Sequence, residues 1–222
     1  MNLFFSMQKP ILFLIDLDNT LLNNDLIKNE IKRSLTQVLG SAEAEHFWKH
    51  HDDFRNKHNL VNFPYIIRKY CSEKHKDTCD FTLESIFKKI DFQKALYPKA
   101  KEVIVYLKKF GKVILFTEGD PVYQKMKIEK STIGSMVDVI LLFPHKLEHL
   151  DQIVKKYKDY DIEVIDDRST TLMTIKNKYP QIHIIEVCQG HYSTVDHKAH
   201  PVLDKTIESI SELLNDTFDR KL

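Results

Sequence analysis

The sequence predicts an α/β protein, a doubly wound parallel sheet interrupted by an inserted all-helical domain. Three observations predict it. Short, wholly apolar runs such as Ile11–Ile15 alternate with amphipathic stretches. Residues 21–94 contain no strand-like run. Polar residues, several of them acids, follow each apolar run directly. Strands alternating with helices are βαβ units, which build parallel sheets covered on both faces.

The elements follow in order. Ile11–Ile15 has the continuous apolar pattern of a strand buried on both faces. Over residues 25–39, Leu26, Ile27, Ile31, Leu35, Val38 and Leu39 keep helical spacing, and Gly40 supplies the stop. A second helix runs over 41–58, and 63–75 and 82–90 read as two more, with Pro64 suited to a first turn. The expected division is therefore an α/β core of residues 1–20 and 95–222 and a helical insert of residues 21–94. The alternating texture then resumes. Helices are expected over 98–110, 121–130, 146–157 and 169–179, and strands over 113–116, 137–143, 162–165 and 182–187. A last amphipathic helix is expected over 204–214.

Composition excludes several classes. Lys and Arg number 33 against 32 Asp and Glu, so the net charge of +1 offers no grip on nucleic acid or anionic lipid. No apolar run approaches the roughly 18 residues of a membrane span. The five glycines are too dispersed for GxGxxG or GxxxxGK[ST], so any phosphate chemistry needs another device. Three cysteines, Cys71, Cys79 and Cys188, are too few and odd in number for a disulfide framework, so a reducing compartment is expected. Residues 1–10 lack the basic and long apolar regions of a secretory signal. A cytoplasmic protein is expected.

In a doubly wound sheet, ligands bind beyond the carboxyl ends of the strands. Asp16, Asp18, Asn19 and Thr20 follow the first strand, and Thr117, Glu118 and Asp120 the second. Pro144, His145 and Lys146 follow the third, and Asp166, Asp167 and Arg168 the fourth. Clustered carboxylates repel unless a cation lies between them, and hard oxygen donors suit Mg²⁺. A carboxylate can also serve as a nucleophile, a second one as acid and base, and a hydroxyl and an ammonium as a clamp on phosphoryl oxygens.

With these motifs in this order, the sequence resembles the haloacid dehalogenase (HAD) superfamily of phosphohydrolases over about residues 8–190. The matching residues are DxDxT at Asp16, Asp18 and Thr20, a threonine after a strand at Thr117, Lys146, and the acidic pair Asp166 and Asp167. The insert resembles that superfamily's C1 cap. The resemblance implies Asp16 as nucleophile, Asp18 as acid and base, and Thr117 and Lys146 as phosphate-binding groups. It implies Mg²⁺ held by Asp16, the carbonyl of Asp18, and Asp167, with Asp166 a further candidate. The acid that commonly follows this pair four or five residues on is missing, since Thr171 and Leu172 stand there.

The expected function is hydrolysis of a small phosphorylated metabolite through an aspartyl-phosphate. Alternatives are a phosphotransferase or phosphomutase using the same residues, and a domain that binds without turnover. Dehalogenation is disfavoured, because dehalogenases that resemble this family lack the second aspartate and Asp18 is present. Lys146 is preferred to Lys125, Lys127 and Lys130, which are expected on a solvated helix face. Cys188, His191, His197 and His200 have a spacing that could ligate zinc, with a polar loop as the alternative. His46, His50 and His51 show no acid or cysteine partner in the sequence and read as solvated or packing residues. Arg33, Arg55 and Arg68 could meet a second anionic group. Trp48, with Phe47 and Phe54, reads as core of the insert.

Overall fold

In a computed structural model that describes residues 9–74, 79–191 and 202–218, six strands form one parallel sheet. They are β1 (Ile11–Ile15), β2 (Gly111–Glu118), β3 (Val139–Phe143), β4 (Asp161–Asp166), β5 (His183–Val187) and β6 (Lys205–Ile207), in the order β3-β2-β1-β4-β5-β6. All five residues of β1 are buried, as a central strand covered on both faces requires. Ile15 pairs with Leu115 on one side and with Ile165 on the other. That register brings Asp16, Thr117 and Asp166 out at one edge. The chain moves outward from β1 to β2 and β3, then returns past β1 to β4, so the strand order reverses there. A crevice at such a switch point is where an open α/β sheet binds ligands.

Between β1 and β2 lie α1 (Asn24–Leu39), α2 (Ser41–His58), α3 (Phe63–Lys74) and α4 (Cys79–Lys89). Local signals set their ends. The Asn23 side chain accepts from Leu26 N at 2.9 Å to cap α1, and Gly40 ends it at φ 81°. Asn59 closes α2 in the left-handed region at φ 52°. The chain enters and leaves this block side by side: Asn23 N donates to Ala95 O at 2.7 Å and Tyr97 N to Leu21 O at 2.9 Å. The remaining helices are α5 (Ala100–Leu107), α6 (Pro121–Ser131), α7 (Leu150–Lys156) and α8 (Ser169–Lys178). Asp120 caps α6 by accepting from Tyr123 N at 2.9 Å, and Pro121 fills the first turn.

One face of the sheet packs Leu12, Leu14, Ile114 and Phe116 against Leu150, Ile153, Leu172 and Ile175. The other carries Phe13, Ile15, Val113 and Leu115, and through Leu17, Leu21 and Leu22 it is continuous with Ile27, Ile31, Phe47 and Phe63 of the helical block. Each such side chain contributes about 1.5–3 kcal/mol when fully buried. The block thus shares a core with one face of the sheet. Phe47 is fully buried there, while Trp48 and Phe54, also read from the sequence as core of the insert, are half-buried against it.

Three expectations are corrected. Residues 204–214 are not a helix: Lys205–Ile207 joins β5 as β6, and a 3₁₀ turn (Ile210–Asn215) follows. The apolar spacing of Ile207, Ile210 and Leu213 suits a helix, but Thr206 and Ile207 find an open strand edge and Ser209 caps a new turn through a reciprocal pairing with Glu212. The helix expected from residue 146 begins as a 3₁₀ turn (Lys146–His149) before α7. Cys71 and Cys79 form one disulfide between α3 and α4, leaving Cys188 as the free thiol. Among the described residues, no helix is long and apolar enough to cross a membrane.

Candidate active site

Asp16 leaves β1 with its amide donating to Ile165 O at 2.9 Å, so the strand ladder carries one residue into the crevice. Lys146, on the turn after β3, reaches back under the sheet edge and is almost fully buried. Its Nζ lies 2.6 Å from Asp16 Oδ1 and 2.6 Å from Asp166 Oδ2, and donates to Phe116 O at 3.3 Å. Asp166 Oδ1 accepts from Arg168 N at 2.9 Å, so both of its oxygens are engaged. Asp167 is different. It is buried, and its Oδ2 has no hydrogen-bond partner.

The electrostatics follow from this crowding. Burial pushes the Asp16 carboxyl up to about 7, opposed by Lys146 and reinforced by Asp166 and Asp18. Burial also holds Asp167 well above the usual carboxylate range, and Asp166 and Asp16 add to the effect. Lys146 stays charged, because Asp16 and Asp166 outweigh its desolvation. A buried carboxylate oxygen with nothing to accept from, beside further carboxylates, fits a hard divalent cation with oxygen ligands. Asp16, Asp167 and the loop at Asp18 supply such a donor set.

Asp18 is held from α6. Lys127 Nζ lies 2.8 and 2.9 Å from its two carboxylate oxygens and donates to Asn24 Oδ1 at 3.1 Å. Gln124 Nε2 lies 2.9 Å from Asp18 Oδ2, 3.0 Å from Thr117 Oγ1 and 2.9 Å from Glu118 O. Gln124 therefore ties the loop after β1 to the end of β2, where Thr117 is buried. Gly119 makes room for it: a Cβ at this φ of 142° would meet Gln124 Cγ at 2.9 Å. Lys127 corrects the expectation of a solvated lysine, since its side chain is only 4% exposed.

Asp16, Asp18, Thr117, Lys146, Asp166 and Asp167 thus converge at one place. Sequence reasoning missed Gln124 and Lys127. The signal was available, because Tyr123, Gln124, Lys127, Ile128 and Ser131 form one buried stripe at helical spacing. Sequence reasoning placed Glu118 and Arg168 at strand ends but not their pairing: Glu118 Oε1 accepts from Arg168 at 2.6 Å and its Oε2 from Lys146 N at 3.3 Å. No local pattern links residues that far apart.

The crevice opens into a cavity of about 170 Å³ roofed by the helical block. Lys28 of α1 and His51 and Arg55 of α2 line it, as do Asp16, Lys127 and Lys146. Burial, and next the charge of Arg55, lower the Lys28 ammonium from its usual range. Of the other candidates, Arg33 lies in an exposed pair with Glu30. Burial, and next the charge of Glu186, push the Cys188 thiol up to about 11, and His191 pairs with Asp25 at 2.8 Å. His197 and His200 of the possible zinc set lie outside the described residues.

No family model and no curated protein matches the chain. Solved structures do. A haloacid dehalogenase-like hydrolase from Burkholderia xenovorans LB400 superposes with a TM-score of 0.85 at 26% identity, covering 94% of this chain and 99% of that one. The HAD-hydrolase YfnB from Bacillus subtilis, bound to magnesium, gives 0.60 at 12% identity, covering 94% and 98%. L-2-haloacid dehalogenase from Xanthobacter autotrophicus with chloropropionic acid covalently bound gives 0.61 at 8% identity, also covering 94% and 98%. The last two share the fold. With the strand order, the helical block and the Burkholderia likeness together, the chain is similar over nearly its whole length to haloacid dehalogenase-like hydrolases and shares their fold.

Proposed function

We propose that this hydrolase is a Mg²⁺-dependent phosphomonoesterase acting on a small phosphorylated metabolite. One observation carries the reading: a buried carboxylate, Asp16, adjoins both a lysine and an unpartnered aspartate oxygen, while a second aspartate, Asp18, is held at the same mouth. Mg²⁺ bound by Asp16, Asp167 and the Asp18 carbonyl would neutralise charge on the phosphoryl group and keep Asp16 ionised. Asp16 attacks phosphorus, and Asp18 protonates the departing alcohol. Lys146 and Thr117 hold phosphoryl oxygens as charge redistributes. Asp18 then takes a proton from the water that hydrolyses the aspartyl-phosphate. Asp166 is assigned to orienting Lys146, because both of its oxygens are already engaged.

The cap supports a small substrate. A roofed cavity of about 170 Å³ suits a small phosphate ester rather than a macromolecular one. The likeness to haloacid dehalogenases raises a halogenated acid as the competing substrate, to which Asp18 has no evident use as an acid.

The test is a panel of phosphorylated metabolites with Mg²⁺, read by phosphate release, beside 2-chloropropionate read by chloride release. Phosphate release that falls at least about a hundredfold in Asp16→Asn supports the proposal. Chloride release without phosphate release overturns it.

A further inference from the structure

His46 and His50 lie four residues apart on α2 and so share one face of that helix. Glu43, one turn before His46 on α2, is already bonded to Tyr70 and Lys74, so a third ligand has to come from another element. The packing of α3 against α2 supplies one: Glu73 Oε2 lies 3.0 Å from His50 Nε2 and 3.7 Å from His46 Nε2. One potential ligand atom from each of the three side chains lies within 4.8 Å of the others. We propose that His46, His50 and Glu73 form a second metal site, for a borderline transition cation of the Zn²⁺ class, on the outer seam of the cap.

Burial is graded in the way such a site needs. The His50 side chain is 9% exposed, whereas those of His46 and Glu73 are each 40% exposed. One ligand is therefore fixed at the floor and two can close from the rim. Ligands 2.0–2.2 Å from a tetrahedral cation stand roughly 3.3 Å apart, so the set must contract by about 1.5 Å at most. The two exposed side chains can supply that movement.

The rings are already arranged around the site. His46 and His50 have centroids 4.8 Å apart, and Tyr70 packs edge-on to both. Tyr70 in turn donates to Glu43 at 2.7 Å, and Glu43 pairs with Lys74, which steadies that side of the seam. Without a cation, both imidazoles aim Nε2 at one carboxylate oxygen. With one, all three present lone pairs to a common centre, and three protein ligands leave a fourth position to water.

The donor chemistry separates this site from the acidic crevice. Imidazole nitrogen suits Zn²⁺, whereas Mg²⁺ prefers oxygen and keeps its waters. None of the three residues lines the cavity, although α2 also carries His51 and Arg55, which do. A metal at this seam would join α2 to α3 and stiffen the roof of the cavity.

The test is calorimetric titration of Zn²⁺ into the full chain with Mg²⁺ in excess, alongside the shift in thermal midpoint. About one Zn²⁺ per chain should bind and raise the midpoint. His46→Gln and Glu73→Gln, both at exposed positions, should fold normally and each lose at least about tenfold in Zn²⁺ affinity, while Asp167→Asn keeps it. Co²⁺ in place of Zn²⁺ should give a visible absorption band that Glu73→Gln abolishes. The proposal is overturned if the wild-type chain binds no Zn²⁺, if both glutamine variants bind it as tightly as wild type, or if only Asp167→Asn loses it.

Discussion

Lys127 shows how a single side chain can be misplaced by composition and placed by packing. Its neighbour Lys125 is exposed and Lys130 half-buried, but Lys127 turns inward and spans both oxygens of Asp18. A buried ammonium of this kind is tolerated because its donors are matched: Asp18 takes the charge and Asn24 a further proton. If Asp18 is the acid and base, its orientation depends on Lys127 and Gln124. Lys127→Met keeps the length of the chain and removes the grip. It should lower kcat by about one to two orders of magnitude with a smaller change in KM, measured by steady-state phosphate release. An unchanged kcat would remove Lys127 from the positioning of Asp18.

At the scale of elements, legibility in the sequence followed the strength of the local signal. β1, β4 and α2 are bounded almost as their patterns require, because continuous apolar runs and helix stops are local facts. The end of the chain was misread. A three-residue edge strand and a 3₁₀ turn carry apolar residues at the same intervals as one helix, and only the free edge of β5 decides between them. The site divides in the same way. Residues directly after strands were visible in sequence, whereas Gln124, Lys127 and Glu73 acquire their partners only when helices pack.

α2 also carries a pH-sensitive contact. His51 is buried, stacks on Phe63 with ring centroids 5.5 Å apart, and bonds Asp52 at 2.8 Å. Burial lowers its imidazole below 6.5, and the charges of Lys28 and Arg55 push the same way, against the pull of Asp52. The unfolded chain, with its ordinary histidine, therefore binds more protons just below neutrality, so stability should fall as pH drops from about 7 through 6.5 toward the lowered value. His51→Gln keeps a polar partner for Asp52 and removes the titration. Urea unfolding at several pH values should show a flatter dependence in that variant over this window. An identical dependence in both proteins would contradict the burial argument.

At the scale of the whole molecule, the acidic crevice ties the two sides of the sheet to each other. Asp16 and Asp18 follow β1, Lys146 follows β3, Asp166 ends β4 and Asp167 follows it. Without a cation, burial raises both Asp16 and Asp167, and the neighbouring carboxylates add to the effect. A ligand that binds only the folded chain stabilises it by mass action. Mg²⁺ should therefore raise the thermal midpoint of the wild-type protein. Asp167→Ala should remove that gain while leaving the metal-free midpoint equal or higher, since one buried like charge is gone. If Asp166→Ala abolishes the gain and Asp167→Ala retains it, the two aspartates have been assigned the wrong way round.

The most direct test of phosphoryl transfer through Asp16 is rapid mixing of the Asp18→Ala variant with an aryl phosphate and Mg²⁺, followed by acid quench and mass analysis. A phenol leaves without much help, so the first step should survive the loss of the acid. Hydrolysis of the acyl-phosphate needs a base and should stall. The account predicts a burst of about one phenol per active site and a phosphate adduct on Asp16. Turnover without any adduct, or an adduct on another residue, would contradict it.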